Sequence, residues 1–450
     1  MFTRPARGKR DGGQSSYASC TVFNARTQLS QPGHVAPSKD CERWIRLAST
    51  RSVSAHCTDL RRGLFDMVFF ADLNYISDTY TGTLDPALRY AAQAPEHDPM
   101  PLLPWLGAVT KNIGLASTFS TSNQHPFYAA RMWATIDHMT SGRAGWNVVT
   151  SLNHNQQANY GAERTASDER YDRAHEFMQV CRKLWESWDE DAIVMDRENA
   201  VFADPQKVRR IEHEGRFFKS RGPLNVVRSP QNGPCILQAG TSPKGQDFAA
   251  RYADAIFAIQ PRAEDAARYY TSIKSLMSDL GRDPSHCQLL FGMQPIIGSS
   301  ESHAQELQAE HNELVPLEAG LTILSAHLDF DLSALALDDD MTTREEPELQ
   351  RMQTRFRKPD GTAMTLREVA QRHGQSVGLP QFVGTADSIA DQMEAYVQTA
   401  GGDGFMLSSI HTPGAIEEFV DQVVPNLQRR GLFRTQYKGN NMRELLRQQD

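Results

Sequence analysis

Residues 141–151 read SGRAGWNVVTS, and the six residues AGWNVV within them have the composition of a buried β-strand. This strand would carry Asn147 and Thr150 to its carboxyl end. Further along, residues 235–245 read CILQAGTSPKG, which predicts a strand, a turn of small residues and then a helix. Such a turn can present backbone N–H groups and a helix N-terminus to a phosphate group. Two strand ends with small polar residues predict one shared binding site.

Short apolar runs alternate with helical patterns along much of the chain, which is typical of βα units on a parallel sheet. The strands are predicted at 67–71, 113–117, 144–149, 235–239, 255–259, 289–293 and 404–408. The helices are predicted at 101–110, 127–139, 246–252 and 415–429, with the clearest one after Ser167. Its apolar stripe comprises Tyr171, Ala174, Met178, Cys181, Trp185 and Trp188. The pattern predicts an α/β protein, specifically a TIM-like (β/α)₈ barrel with long loop insertions at its carboxyl face.

The domain organisation follows from where this alternation is interrupted. Residues 34–446 are predicted to form a single barrel domain with insertions at about 152–235 and 300–380. We expect these insertions to close over a ligand, although solvated surface or oligomer contacts would explain them equally well. Residues 1–33 have the composition of a disordered tail or, alternatively, of an organelle transit peptide. The segment Thr21–Asn24, TVFN, is the only nearby candidate for the first barrel strand.

Composition excludes several classes of protein. The net charge of −8 argues against nucleic acid as a partner, and no apolar run approaches the roughly 20 residues that span a membrane. The six cysteines form no C-x-x-C pair and have no histidine at metal-ligand spacing, so we expect no metal and a reduced, cytoplasmic setting. The absence of a G-x-G-x-x-G after a strand indicates that the chain has no nicotinamide site.

The ordered motifs resemble those of a known family. They are FDMVFFAD, GLASTFST, SGRAGWNVVTS, DERYDRAHEFMQV, VFADPQKV, HEGRFF, RGPLNVVRSPQ, QAGTSPKG, GGDGFMLS and FVDQVVPNLQRRGLFRTQYKGNNMRELL. Their order is similar to that in the nitrilotriacetate monooxygenase group of the bacterial-luciferase-like flavin monooxygenases. Within this group, the resemblance is strongest to the dibenzothiophene-sulfone monooxygenases. It spans roughly residues 64–446 and is highly specific because so many motifs occur in one order.

The resemblance implies a two-component monooxygenase that binds reduced FMN and inserts one atom of dioxygen into a small organic substrate. A separate NAD(P)H:flavin reductase would supply the reduced FMN, and the protein would form a homodimer or homotetramer. The reaction could cleave a carbon–sulfur or carbon–nitrogen bond in a sulfone, heterocycle or amine, with a sulfur heterocycle favoured. Two alternatives stay open, namely hydride transfer with a flavin or deazaflavin, and a flavin-binding pseudoenzyme.

The resemblance also implies the residues that bind the flavin. The isoalloxazine would contact Asp72, Asn147 and either Thr118 or Thr121. The phosphate would be bound by Ser167, Tyr171, Gly240, Thr241 and Ser242. Each assignment has a structural alternative, since an aspartate can cap a helix, a threonine can pack in the barrel and an asparagine can satisfy buried backbone. The family pattern has a histidine where this chain has Ser167. Because the serine hydroxyl carries no charge, we expect weaker binding of the phosphate.

Three further residues are implied to take part in catalysis. His327 matches a histidine that points into the substrate cavity, and its imidazole could act as a general acid or orienting donor. A structural contact on an insertion helix is the alternative for this residue. Phe69 matches an aromatic residue near the flavin. His34 could belong to a histidine and tryptophan cluster at the front of the barrel, although residues 1–62 depart from the family pattern.

Overall fold

Eight parallel strands form a closed barrel in the computed structural model, which describes residues 20–25, 59–151, 153–163, 167–240, 242–350, 352–358, 360–411 and 414–447. The strands are β1 (Cys20–Ala25), β2 (Met67–Phe70), β3 (Gly114–Ser120), β4 (Ala144–Val149), β5 (Cys235–Gln238), β6 (Ala255–Ala258), β7 (Gln288–Ile297) and β8 (Gly404–Leu407). They follow one another around the ring in chain order, and β1 closes it by pairing with both β2 and β8. The predicted TIM-like barrel is therefore confirmed.

The first barrel strand lies where the sequence offered only one candidate. β1 includes Thr21–Asn24 and pairs in parallel with β2 on one side and β8 on the other. It lies within residues 1–33, for which the sequence favoured a disordered tail, so residues 20–25 depart from that expectation.

Helices cover the outside of the barrel and extend into the insertions. They are Asp85–Arg89, Leu102–Val109, Pro126–Met139, His154–Asn159, Ser167–Trp185, Pro243–Tyr252, Ala263–Asp279, Glu301–Glu313, Leu317–Leu328, Pro347–Gln350, Leu366–Ser376, Ala386–Ala400, Ala415–Glu418, Val424–Arg429 and Met442–Arg447. Single 3₁₀ turns occur at Pro205–Lys207, Pro284–His286, Leu332–Ala334 and Gln353–Arg355. The predicted helix at 415–429 is interrupted by a π-helical segment, Phe419–Val423.

The barrel strands bury both faces, as parallel strands covered by helices do. Side chains such as Val68 and Phe70 point outward and pack under the helices, whereas Met67 and Phe69 belong to a second cluster inside the ring. The helix Met442–Arg447 closes the amino end of this interior. Its Met442 side chain packs so closely on β3 and β4 that a Cβ built on Gly114 or Gly145 would lie 2.8 Å from it.

The long helix after Ser167 is part of the barrel wall, although the sequence places it within an insertion. Its buried residues Ala174, Met178, Cys181 and Trp185 belong to the main core, as the apolar stripe predicted. The helix ends at Trp185 rather than continuing to Trp188, whose indole N–H instead donates to the carbonyl of Leu224 at 2.7 Å. Two short hairpins follow it, Ile193–Asp196 with Val201–Ala203 and His213–Glu214 with Lys219–Ser220.

Residues 300–380 form a packed cap with its own hydrophobic core. Its members include Leu321, Leu324, Phe356, Leu366 and Val369, from the two helices Leu317–Leu328 and Leu366–Ser376 and the segment between them. The cap is joined to the barrel by strand Gln381–Gly384, which pairs with the second half of β7. A solvated surface loop, which was the alternative for this insertion, would have no such core.

No helix within the described ranges is both long and apolar enough to cross a lipid bilayer.

Candidate active site

Three neighbouring strands bring the predicted flavin-ring residues to one edge of the barrel. Thr118 on β3 is the register partner of Asn147 on β4, and the Asn147 amide donates a hydrogen bond of 3.0 Å to the Thr118 hydroxyl. Asp72 follows β2, which pairs with β3 up to Phe70 and Ser117. All three residues therefore lie at the carboxyl end of the ring, where barrel enzymes have their active sites.

The Asn147 carbonyl oxygen is a buried acceptor that lacks a hydrogen-bond partner among the described residues. The side chain is only 5% exposed, and its N–H₂ group is already engaged by Thr118. A buried amide oxygen left in this way costs roughly 1–3 kcal/mol, which a hydrogen-bond donor placed beside it would offset. The alternative that Asn147 satisfies buried backbone is not supported by these contacts.

Thr121 has a different environment from Thr118. Its hydroxyl donates to the carbonyl of Val149 at 3.2 Å, and its backbone N–H bonds to the same oxygen. Thr121 is thus occupied in joining the ends of β3 and β4. The geometry favours Thr118 as the residue beside Asn147.

Asp72 is a half-buried carboxylate with one close side-chain partner. Burial raises the pKa of Asp72 to about 6, and a hydrogen bond of 2.8 Å that the Asn74 amide donates to the carboxylate partly offsets this. The negative charge of Asp98 raises the pKa of Asp72 a little further. The next helix within the described ranges begins at Asp85, so Asp72 does not cap a helix. A carboxyl that titrates near neutrality at a strand end is typical of a functional site.

The turn after β5 forms a compact donor site next to these residues. Because β4 and β5 are neighbours and Asn147 pairs with Leu237, Gly240 lies only three residues beyond the level of Asn147. Ser242 caps the helix Pro243–Tyr252, its hydroxyl accepting the N–H of Gly245 at 3.1 Å. The first turn of this helix directs further backbone N–H groups toward the same edge, which suits an anion.

Tyr171 packs against this turn from the helix Ser167–Trp185. Its hydroxyl forms side-chain hydrogen bonds with Ser242 and Gln238, which lower its pKa, but burial is the larger effect and raises it. The contact is so close that a Cβ built on Gly245 would lie 2.7 Å from the Tyr171 oxygen. The helix and the turn, both recognised in the sequence, are therefore brought together by the fold.

Two further residues that the sequence predicts at the phosphate, Thr241 and Ser167, fall at gaps in the described part of the structure. Thr241 lies outside the described residues. Ser167 begins the long helix, but its side chain lies outside the described part of the structure.

Three residues at the turn were missed by sequence reasoning. Arg170 is 8% exposed, and its positive charge lowers the pKa of the neighbouring Tyr171. Gln238 accepts the N–H of Gly240, and the Tyr269 hydroxyl donates to the Gly240 carbonyl at 3.0 Å. A signal for Arg170 was present, since it lies within the DERY motif, one residue before Tyr171. Tyr269 comes from a distant helix and gave no such signal.

The three predicted catalytic residues have different positions. Phe69 is 6% exposed inside the barrel, where its ring centroid lies 5.0 Å from that of Phe257 on β6. His327 lies on the cap helix Leu317–Leu328, with its Nδ1 2.8 Å from Nε2 of His373 and its Nε2 2.9 Å from Nε2 of Gln93. His34 lies outside the described residues.

Loops from the barrel hold the cap above this edge. Asn153, just after β4, donates to the carbonyl of Ala326 at 2.8 Å. The backbone N–H and the imidazole of His154 both contact Asp329, which ends the cap helix, and the N–H of Thr81 donates to Asp331. The cap is therefore fixed to the loops after β2 and β4, next to Asp72 and Asn147.

Comparisons with a family model and with individual proteins bear on the identity of the chain. Residues 76–404 match the model of the luciferase-like monooxygenase family. The chain is 41% identical to dibenzothiophene-sulfone monooxygenase from Rhodococcus erythropolis, over 86% of this chain and 87% of that protein. It is 36% identical to nitrilotriacetate monooxygenase component A from Aminobacter aminovorans, again over 86% and 87% of the two chains.

Among solved structures, the chain is similar to riboflavin lyase with modified FMN and riboflavin. The TM-score is 0.86 at 29% identity, covering 95% of this chain and 96% of the other. The family model alone spans most of the barrel and the cap. This chain belongs to the luciferase-like monooxygenase family.

Proposed function

We propose that the protein is a reduced-FMN-dependent monooxygenase that inserts one oxygen atom of dioxygen into a small organic substrate. The observation that carries this proposal is the buried Asn147 acceptor beside Thr118, one strand away from the Gly240–Ser242 turn. A flavin mononucleotide has both matching groups, an N–H on its ring edge and a phosphate at the end of its side chain. The residues present therefore fit this cofactor.

The residues divide into two sets by what they would hold. Asn147 would accept the ring N–H, with Thr118 and Asp72 alongside it and Phe69 beneath. The phosphate would receive hydrogen bonds from Ser242, Tyr171, the Gly240 turn and the helix N-terminus, together with Thr241 and Ser167. Arg170 would supply a positive charge that Ser167 lacks, since phosphate binding is strongest where a guanidinium contributes.

Reduced FMN, when bound, supplies the two electrons that allow one oxygen atom to enter the substrate while the other leaves as water. The protein contributes binding, orientation and exclusion of water. The cap, fixed by Asn153 and His154, covers the mouth of the barrel so that the substrate is enclosed. His327 would orient the substrate or hold a proton for it, and its hydrogen bonds to Gln93 and His373 fix the plane of the imidazole.

The substrate we propose is a compound in which oxygen insertion cleaves a carbon–sulfur or carbon–nitrogen bond. This proposal is supported by relatives named for a sulfone and for nitrilotriacetate. A separate NAD(P)H:flavin reductase would supply the reduced FMN. The buried thiols of Cys181, Cys235 and Cys287 favour a reducing compartment, which supports the cytoplasm.

We also propose that the protein is a homodimer or homotetramer. The hairpin of Ile193–Asp196 and Val201–Ala203 exposes five large apolar side chains, with Met195 and Phe202 each 59% exposed. Contiguous exposed apolar residues of this kind are typical of protein interfaces.

The decisive experiment mixes the protein with FMN, NADH, a general flavin reductase and ¹⁸O₂, over a panel of sulfones, amines and heterocycles. We expect one ¹⁸O atom in the product, measured by mass spectrometry, and oxygen uptake that depends on the added reductase. Oxygen uptake that yields only hydrogen peroxide with every compound would favour the pseudoenzyme. Substrate turnover whose product carries no ¹⁸O would favour hydride transfer.

A further inference from the structure

A second pocket lies at the same edge of the barrel, where the cap meets the strand ends. Two arginines, Arg355 and Arg372, line it together with His373. Pro261, three residues beyond the end of β6, forms its barrel side. The remaining lining residues are mostly apolar and include Met352, Phe356, Met364, Val369 and Val377.

The positive charges in this pocket have no carboxylate partner among the described residues. Within the described ranges, no carboxylate forms an ion pair with Arg355 or Arg372, and Arg372 has only the carbonyl of Arg357 and the sulfur of Met364 near it. Burial lowers the pKa of both guanidinium groups, and the charge of Arg372 lowers that of Arg355 further. Arginine keeps its charge at any ordinary pH, so both positive charges persist in this apolar setting.

Some other partly buried arginines are compensated by oxygens or carboxylates, whereas Arg173 and Arg182 lie over the rings of Phe218 and Tyr252. Arg143 donates to four backbone carbonyl oxygens and also to the Thr110 hydroxyl. Arg434 pairs with Asp66, and Arg443 pairs with Asp254 at 3.1 Å. Uncompensated charge in an apolar pocket is strongly unfavourable. Two like charges without a carboxylate are therefore a feature that a bound anion would offset.

Two sets of contacts link the pocket to the candidate active site. One is a chain of hydrogen bonds that begins at His373, and the other is the interaction of Arg355 with Tyr269. His373, which lines the pocket, is bonded to His327, and His327 is bonded to Gln93. Tyr269 lies within electrostatic range of Arg355, and its hydroxyl donates to the carbonyl of Gly240. An anion in the pocket would thus lie beside the place where the substrate reacts.

We infer that Arg355 and Arg372 form an oxyanion subsite that binds a carboxylate, sulfinate or sulfonate group of the organic substrate. This inference rests on the proposed function for the identity of the ligand as a substrate. A flavin phosphate has the same oxyanion chemistry, but the pocket is lined by His373 rather than by Gly240, Ser242 or Tyr171. The subsite would favour substrates that carry an anionic group over neutral ones.

The test uses the FMN-bound protein and benzenesulfonate as the probe, with binding measured by isothermal titration calorimetry. We expect Arg355→Met and Arg372→Met each to weaken benzenesulfonate binding by about 10- to 100-fold, as expected for loss of a charge-assisted hydrogen bond. Arg355→Lys should retain part of the affinity because it keeps the charge. Arg367→Met is the matched control on the same helix, since Arg367 is 46% exposed and should leave binding unchanged.

Two further measurements separate the sources of the anion. Benzenesulfonamide, a neutral analogue of similar shape, should bind equally to the wild-type protein and to both methionine variants. Both methionine variants should bind FMN as the wild type does, because the pocket is not expected to hold the flavin phosphate. Riboflavin, which lacks the phosphate, is the comparison ligand and should also bind unchanged. A selective loss of FMN affinity with unchanged benzenesulfonate binding would assign the pocket to the flavin phosphate and overturn the substrate subsite.

Unchanged binding of benzenesulfonate in Arg355→Met and Arg372→Met would also overturn the proposal. Thermal unfolding of each variant shows whether the cap is still folded, and Arg355→Lys provides the measurement if a methionine variant is not. Because these titrations require no turnover, they distinguish failure of the subsite from failure of the monooxygenase proposal. If benzenesulfonate binding depends on Arg355 but the protein forms no oxygenated product, the anion subsite stands and the monooxygenase proposal fails.

Discussion

Asp72 is proposed to contact the flavin, but its burial is expected to lower the stability of the folded protein at neutral pH. Its pKa is raised to about 6, mainly by burial, whereas an aspartate in an unfolded chain titrates near pH 4. Between these values the folded protein binds more protons, so the free energy of unfolding falls as the pH rises from about 4 to about 6. We expect Asp72→Asn to remove this dependence and to raise the free energy of unfolding at pH 7 by about 1–3 kcal/mol.

Urea unfolding at several pH values between 4 and 7 checks this prediction. The exposed Asp338→Asn serves as the control, because a carboxylate that is 87% exposed should leave the pH dependence unchanged. Parallel curves for Asp72→Asn and the wild type would mean that burial does not disfavour the charged carboxylate.

Asn147 and Thr118 provide a second residue-level prediction. We expect Asn147→Ala and Thr118→Val each to weaken FMN binding by about 1–2 kcal/mol, because the buried acceptor or the group that orients it is lost. Thr121→Val should leave FMN binding unchanged, since the Thr121 hydroxyl is bonded to the carbonyl of Val149. Titration followed by flavin fluorescence distinguishes the three variants, and equal losses for Thr118 and Thr121 would refute the assignment.

Site residues on clearly patterned strands could be predicted from the sequence, whereas site residues in the cap could not. Asn147 is the fourth residue of a six-residue run with a clear strand pattern, so its place in the carboxyl half of the strand follows directly. Arg355 occurs in a basic run that is indistinguishable from solvated surface until the cap is folded. Its burial depends on helices distant in the chain, and no local pattern records that.

At the level of elements, the N-terminus of the helix Pro243–Tyr252 has both a structural and a binding role. Loss of an N-cap serine costs about 1 kcal/mol of stability. We expect Ser242→Ala to show this loss and also to weaken FMN binding, whereas riboflavin binding should be unchanged. Ser300→Ala is the matched control, because Ser300 caps Glu301–Glu313 through the N–H of His303 and lies away from the phosphate turn.

Thermal unfolding and flavin titration of both serine variants test this prediction. Similar losses of stability with a loss of FMN affinity only in Ser242→Ala would support a phosphate contact. If both variants bind FMN as the wild type does, the Ser242 hydroxyl acts only as a cap.

Most barrel strands and five helices could be predicted because their patterns are local, whereas long helices such as Ala263–Asp279, Glu301–Glu313 and Ala386–Ala400 were not predicted. The barrel strands β2 to β8 agree with the predicted runs to within a few residues, and β4 agrees at both ends. Strand Gln381–Gly384 was missed because its four residues contain only two apolar side chains, Phe382 and Val383. The π-helical segment Phe419–Val423 was missed because its apolar spacing is compatible with a regular helix.

At the level of the whole molecule, one side chain closes the base of the barrel. Met442 is fully buried against the glycines of β3 and β4. We expect Met442→Ala to lower the free energy of unfolding by about 2–4 kcal/mol through lost packing and a residual cavity. Met139→Ala, at a position that is 57% exposed, is the control and should change stability by less than about 0.5 kcal/mol. Chemical denaturation measures both, and equal effects would show that the helix Met442–Arg447 does not seal the barrel.

The exposed hairpin predicts how the molecule associates. We expect Phe202→Glu to shift the protein toward monomer in sedimentation velocity, because a charge at the centre of an apolar interface is unfavourable. Leu314→Glu, on a separate surface with a side chain that is 54% exposed, should leave the association state unchanged. A wild-type protein that is monomeric at all concentrations would contradict the proposed oligomer.

The pairing of β1 with β8 has a consequence for how the protein is made. A ribosome releases β1 long before it has synthesised Gly404–Leu407, so during most of translation the growing ring has two unprotected edges. Contacts this far apart in the chain form slowly, because a very long loop must close first. The nascent polypeptide therefore passes through a prolonged aggregation-prone interval, and its yield in a cell should depend on chaperone supply and on growth temperature.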